Sequence, residues 1–168
     1  DSTTIELVAN CLDWASHRRR KAAAKCHLRL DFETLLPRFA VVDTAREHDN
    51  ARAREAAAAL KKGEILVFDR GYVDLGHFEE LGARGVIWVT RMKTGMQYDL
   101  LDRRAVKAGG KVLADESIML TNGVAARRVQ ALVEVDGEER EMTFLTNQLE
   151  WSATTVVEGC SPSAARAP

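Results

Sequence analysis

Two short runs constrain this chain more than anything else in it. Glu64–Asp69 (EILVFD) and Val86–Thr90 (VIWVT) are apolar without alternation and too short for stable helices. A strand that is apolar on both sides needs cover on both sides, which is the condition of a sheet with helices on its faces. The residues between the two runs supply the connection. Asp74 can cap a helix reaching Leu81, and Gly82 and Gly85 close it. Strand, helix and strand in that order make a parallel unit.

The preceding residues read differently. Asp1–Leu7 (DSTTIEL) alternates like a strand or its end. Asn10–Ala24 is a polar, basic connection holding Trp14, Arg18, Arg19, Arg20 and Lys21. Lys25–Phe32 (KCHLRLDF) alternates strictly, with Cys26, Leu28 and Leu30 on one face and His27, Arg29 and Asp31 on the other. That pattern predicts a half-buried strand with His27 at the surface. Pro37 bounds Arg38–Thr44, and the short separation favours an antiparallel hairpin. Asn50 is a plausible cap for an Ala-rich helix over Ala51–Lys62, stopped by Gly63.

Beyond Gly95, glycines and Asn122 punctuate short strand-like pieces such as Ser117–Leu120. Asp136-Gly137 joins Arg127–Val135 to Arg140–Thr146 as a hairpin. Ser152 or Thr154 opens a helix before Glu158. The expectation is an α/β fold: a mixed sheet of three antiparallel strands, then parallel strand–helix–strand units, helices on its faces and a β-rich insertion.

Composition agrees with one domain that buries a core, at 46% hydrophobic and 29% charged residues. The net charge is −1, so any affinity for nucleic acid must come from where charges sit. Cys11, Cys26 and Cys160 form no CxxC pair, which argues against a disulfide framework or zinc knuckle and fits a reducing cytoplasm. No apolar run approaches the roughly 20 residues of a membrane-spanning helix.

Two aspartates stand out by position: Asp1, and Asp69 at the end of EILVF. If their strands are neighbours, the two carboxylates come close and repel. A divalent cation such as Mg²⁺ removes that repulsion, and two such metals suit phosphodiester chemistry. The plainer alternative for Asp69 is a turn residue before Gly71.

The segment Val67-Phe68-Asp69-Arg70-Gly71-Tyr72, followed by Asp74 and Phe78, resembles the second catalytic block of DDE transposases of the IS-four group. Asp1-Ser2-Thr3-Thr4-Ile5 resembles their first block. Trp14-Ala15, Arg18–Lys21, Lys25 with His27, His48-Asp49, Thr90-Arg91-x-Lys93 and Phe144-Leu145-Thr146-Asn147 resemble further landmarks, all in order. The resemblance implies an RNase H-like core over 1–94, a β-rich insertion over 95–143 and a return to the core over 144–158. It implies Asp1 and Asp69 as catalytic, metal-holding members of a D-D-E triad, with Mg²⁺ or Mn²⁺ in a two-metal site. It implies transposon-end and target DNA as partners, a dimer on paired ends, and a cytoplasmic, nucleoid-associated setting. Phosphate contacts are expected from Arg18, Arg19, Arg20, Lys21, Lys25, Arg70, Tyr72, Arg91 and Lys93; a solvated loop is the alternative for the basic stretch.

One departure matters. The family carries a Tyr, an Arg, the catalytic Glu and a Lys on the helix after Phe-Leu-Thr-Asn. Here Gly159–Pro168 (GCSPSAARAP) stands there, and no Glu follows Glu158. That tail reads as a disordered end or as the scar of a frameshift or truncation. The expectation is a truncated catalytic-domain fragment that does not cut DNA by itself. The rivals are a non-catalytic DNA-binding remnant that interferes with an intact transposase through mixed assembly, and a decayed reading frame.

Overall fold

The structure, a computed structural model, describes residues 2–7, 16–17, 21–44 and 49–160. The chain divides into two compact units, Asp1–Ala59 and Leu60–Pro168. The division falls inside the stretch 1–94 that the sequence reads as one core.

The first unit holds β1 (Ser2–Leu7), β2 (Ser16–His17), β3 (Lys21–Leu30), β4 (Pro37–Thr44) and α1 (Asp49–Ala57). β3 is its central strand, antiparallel to β1, β2 and β4. β2 lies inside the expected connection, and β3 starts at Lys21 rather than Lys25. Ala22–Ala24 carry no alternation to announce a strand; pairing with β1 and β2 makes them one.

His27 corrects the expectation of a surface histidine: it is 1% exposed. Arg29, two residues on and on the same side, donates from Nη1 to the Ala56 carbonyl at 2.6 Å. Helix α1 therefore covers the polar face of β3. Alternation tells which face is polar, not whether that face is covered. α1 is also shorter than its alanines predict. Ala53 and Ala57, four apart, are its buried residues, while Ala58 and Ala59 are exposed. Helicity ends where burial ends, because propensity alone sustains a short helix poorly.

At the β3–β4 tip, Asp31 Oδ1 accepts from the Thr34 amide and hydroxyl, both at 3.0 Å, and Arg38 holds Oδ2. These contacts, those of Thr34 first, bring the carboxyl down to about 2.

The second unit contains β5 (Ile65–Phe68), a 3-10 turn (Arg70–Tyr72), α2 (Leu75–Ala83), β6 (Ile87–Arg91), β7 (Tyr98–Arg103), β8 (Val112–Leu120), β9 (Ala125–Val135), β10 (Glu138–Thr146) and α3 (Ala153–Cys160). They build one sheet in the order β5-β6-β10-β9-β8-β7. β5 and β6 are parallel, as expected, and the other neighbours are antiparallel. This mixed α/β architecture agrees with an RNase H-like transposase core. The insertion forms no sheet of its own. β10 pairs with β9 along its length and with β6 only over Phe144–Thr146, so one strand carries the insertion into the core sheet.

Local signals place the ends. Asp74 caps α2 by accepting from the His77 amide at 2.8 Å. The helix closes on Gly85 at φ +69, with Gly85 N–H donating to Gly82 and Val86 N–H to Leu81. Ser152, not Thr154, caps α3, accepting from the Thr155 amide at 3.0 Å. Asp136 and Gly137 turn the β9–β10 hairpin with φ +54 and +81.

Alternation along β6 sends neighbouring side chains to opposite faces. Trp88 stacks on Phe78 of α2 with ring centroids 4.1 Å apart. Val89 joins Val129, Val133, Phe144 and Val156 of α3 in a buried cluster. α2 and α3 thus lie on opposite faces of the sheet. β5 departs from the expectation of burial on both sides, with Ile65 51% and Val67 43% exposed. Among the described residues of the second unit it is the edge of the sheet. Leu66 and Phe68 share the face toward α2, whereas α3 packs chiefly over β6, β8, β9 and β10.

Candidate active site

The parallel pairing of β5 and β6 builds the site. Its last rung joins Phe68 to Thr90, so the next residues, Asp69 just past β5 and Arg91 at the end of β6, stand side by side. Asp69 N-caps the 3-10 turn in extended conformation, φ −75° and ψ 158°, with no capping bond from its side chain. The carboxylate goes instead to Arg91. Nε donates to Oδ1 at 3.0 Å, and Nη2 makes a second, shorter bond to the same oxygen. Both Arg91 bonds go to Oδ1, and Arg91 makes none to Oδ2.

The turn alternative thus accounts for Asp69's backbone, whose carbonyl accepts from the Tyr72 amide at 3.0 Å, and leaves its side chain available. Partial burial raises the carboxyl's pKa. The Arg91 hydrogen bonds, the Arg70 amide and the charges of both arginines outweigh this, and the net direction is down. Asp69 is therefore held ionised, about two-fifths exposed, bonded to Arg91 and beside the charge of Arg70.

The other expected residues divide by place. Arg70 and Lys93 are exposed near Asp69 and Arg91. Tyr72 is buried at 7% exposure. It belongs to the core, which corrects the expectation that its ring lies against a DNA backbone. Lys25 is half-buried in β3, opposite Asp43 in register, and Lys21 opens that strand. Asp1, Arg18, Arg19 and Arg20 fall outside the described residues, as do His48 and the tail from 161. α3 runs through Gly159 and Cys160, the first two residues of the expected aberrant tail. Among the described residues no three His, Cys, Asp or Glu side chains gather as a metal-holding group. No helix among them is long and apolar enough to cross a membrane.

Asn147 of the Phe-Leu-Thr-Asn segment has a structural role that the sequence did not specify. Its amide donates to the Val86 carbonyl and accepts from the Trp88 amide, both at 2.9 Å. The β6–β10 ladder ends at Val89 and Thr146, and the Asn147 side chain supplies the next rung. It fixes the strand that delivers Arg91.

A second basic group lies at the same end of the sheet. A cleft of about 430 Å³ opens beyond Arg91, lined by Arg70, Arg91, Lys93, Tyr98, Arg128 and Arg140 among others. Sequence reading found the first three of these and missed the rest. Arg128 and Arg140 are scattered within β strands, and no motif marks them.

A larger cleft, about 650 Å³, lies away from Asp69 beside α3. Beneath it Arg127 and Asp115 form a buried bidentate pair at 2.7 and 2.6 Å. Arg127 also holds the Trp151 carbonyl, and Arg104 the Leu149 carbonyl at 2.7 Å. This network anchors the loop before α3 to β8 and β9.

The family model described as "Transposase DDE domain" matches residues 1–158. The chain is 25% identical over 162 residues to the "Probable transposase for insertion sequence element IS5377" of Geobacillus stearothermophilus, covering 94% of this chain and 42% of that protein. It is 26% identical over 166 residues to the "Putative transposase y4zB" of Sinorhizobium fredii, covering 93% and 45%. The chain thus spans less than half the length of these curated relatives. By its match to this family model over residues 1–158, the chain belongs to the transposase DDE-domain family.

Proposed function

We propose that residues 1–158 are catalytic-domain sequence of a DNA transposase of the IS-four group, which in the whole protein hydrolyses phosphodiesters at transposon ends and joins the freed 3′-hydroxyl to target DNA. The observation that carries this reading is Asp69, whose carboxylate stands ionised at the β5 end, with Arg91 bonded to only one of its two oxygens. A divalent cation would be held through the other oxygen, with Asp1 as companion ligand. Mg²⁺ or Mn²⁺ held there would supply activation of the attacking hydroxyl and stabilisation of the leaving oxygen. Asp69, already ionised, would hold such a cation without first losing a proton. Arg70, Arg91 and Lys93 neutralise and orient the DNA phosphate beside it. Arg18, Arg19, Arg20, Lys21 and Lys25 would also contact DNA phosphates, and a second transposase copy would complete the assembly on paired ends.

Of the three carboxylates that the resemblance calls for, Asp1 and Asp69 are the two assigned here. By itself it is expected to bind duplex DNA without cutting it. The test pairs a salt titration of duplex binding with a Mg²⁺- or Mn²⁺-dependent nicking assay. Binding that weakens steeply with salt, and no nicking, is the expected result. Robust nicking refutes the two-carboxylate account, and no binding even at low salt refutes the DNA reading.

A further inference from the structure

We infer that the β-rich insertion contributes a phosphate-binding cleft of its own, in which Arg128 and Arg140 hold a DNA backbone phosphate next to Asp69. The inference rests on the DNA reading above and extends it to β9 and β10. β6 pairs with β10 only as far as Arg91 and Phe144, and the cleft opens where β6 leaves off. Its volume, about 430 Å³, is in the range of small-ligand sites.

Charge decides the kind of ligand. Five cations line the cleft, Arg70, Arg91, Lys93, Arg128 and Arg140, against one lining carboxylate, Glu141, whose Oε1 accepts from Gln130. Three of the cations have carboxylate partners: Arg91 with Asp69, Arg128 with Glu116 at 2.7 Å, and Arg140 with Glu138 at 3.0 Å. Arg70 and Lys93 have none among the described residues. The surplus is positive, and it adjoins the carboxylate proposed for phosphodiester chemistry.

Arg128 is the built part of the site. Its side chain is 15% exposed, and Glu116 behind it 11%. Nη1 is fixed by Glu116, Nη2 approaches Gln130 at 3.3 Å, and the guanidinium sits 5.7 Å from the Tyr98 ring centre. A guanidinium held this way has little rotamer freedom left to lose on binding. Its buried Nε has no acceptor among the described residues. A buried donor left in that state is costly; the accessible part of the guanidinium is what a phosphate oxygen in the cleft would meet. Arg140 is 55% exposed and adds a charge at the rim.

The test measures binding of a short fluorescein-labelled duplex to the full chain by anisotropy across a chloride series. Arg140→Gln should keep the parent's thermal midpoint, weaken binding several-fold at low salt and reduce the salt slope by about one. Arg128→Lys should weaken binding with little change of slope, because the charge stays and the fork is lost. Lys111→Gln, an exposed charge elsewhere, should change neither. If Arg140→Gln and Arg128→Lys bind like the parent while Arg91→Gln and Lys93→Gln lose affinity, the inference fails and the DNA reading stands. A parent that binds no duplex overturns both. If the two insertion variants lose affinity for inorganic phosphate but bind duplex unchanged, the cleft takes free phosphate and the inference fails.

Discussion

Replacing Asn147 by alanine tests whether one side chain completes the sheet that carries the site. The substitution removes two hydrogen bonds of 2.9 Å and leaves the Val86 carbonyl and the Trp88 amide without those partners. Both residues are 0% exposed, so water does not replace what is lost. An unsatisfied buried polar group costs roughly 1–3 kcal/mol, so two cost about 2–6 kcal/mol. At roughly 2–4 °C per kcal/mol for a chain of this size, the melting midpoint should fall by at least about 4 °C. Asn147→Asp separates the two bonds. It can still accept from Trp88, but at neutral pH it places a carboxylate against the Val86 carbonyl. That variant should regain part of its loss as acid protonates the carboxyl and restores a donor. The assay is urea and thermal unfolding followed by circular dichroism, with hydrogen exchange at the Trp88 amide as the local readout. An Asn147→Ala protein within about 0.5 kcal/mol of the parent, with Trp88 exchange unchanged, would refute the reasoning; that is the scatter of ordinary surface substitutions.

Two further predictions follow from charge pairs. Arg127→Met strands Asp115, whose side chain is 7% exposed, and should cost about 3–5 kcal/mol; Asp115→Leu with Arg127→Met should recover most of it, and a double variant no better than the single refutes the account. Asp69 has a lowered folded pKa, so its stabilising contribution is present above the unfolded carboxyl value and is lost as pH falls through the folded one. Arg91→Gln should move the Asp69 midpoint upward in a carboxyl-carbon NMR titration and shrink the acid-side stability difference between Asp69→Asn and its parent; an unmoved midpoint removes Arg91 as a cause.

Parts of the site were legible for a local reason. A charge ending an apolar run marks a strand end, and Asp69 and Arg91 both follow such runs. Arg128, Arg140 and Tyr98 carried no such mark. They lie on three strands, and only the β7-β8-β9-β10 order brings them to one cleft. β7 escaped a firm assignment because Tyr98–Arg103 is polar and largely exposed, an edge strand made by pairing with β8.

By itself the sequence determined the local punctuation: the Asp74 cap, the Asp136-Gly137 turn, the Gly85 stop and the two apolar runs. Those depend on backbone conformation and on hydrogen bonds between near neighbours, and a few adjacent residues specify them. Only the tertiary structure decided that His27 is buried, that Ile65 and Val67 of β5 are exposed and that Asn147 finishes the β6–β10 ladder. Burial and pairing are properties of what arrives from elsewhere in the chain. A residue pattern records which face is apolar and leaves open what covers the other.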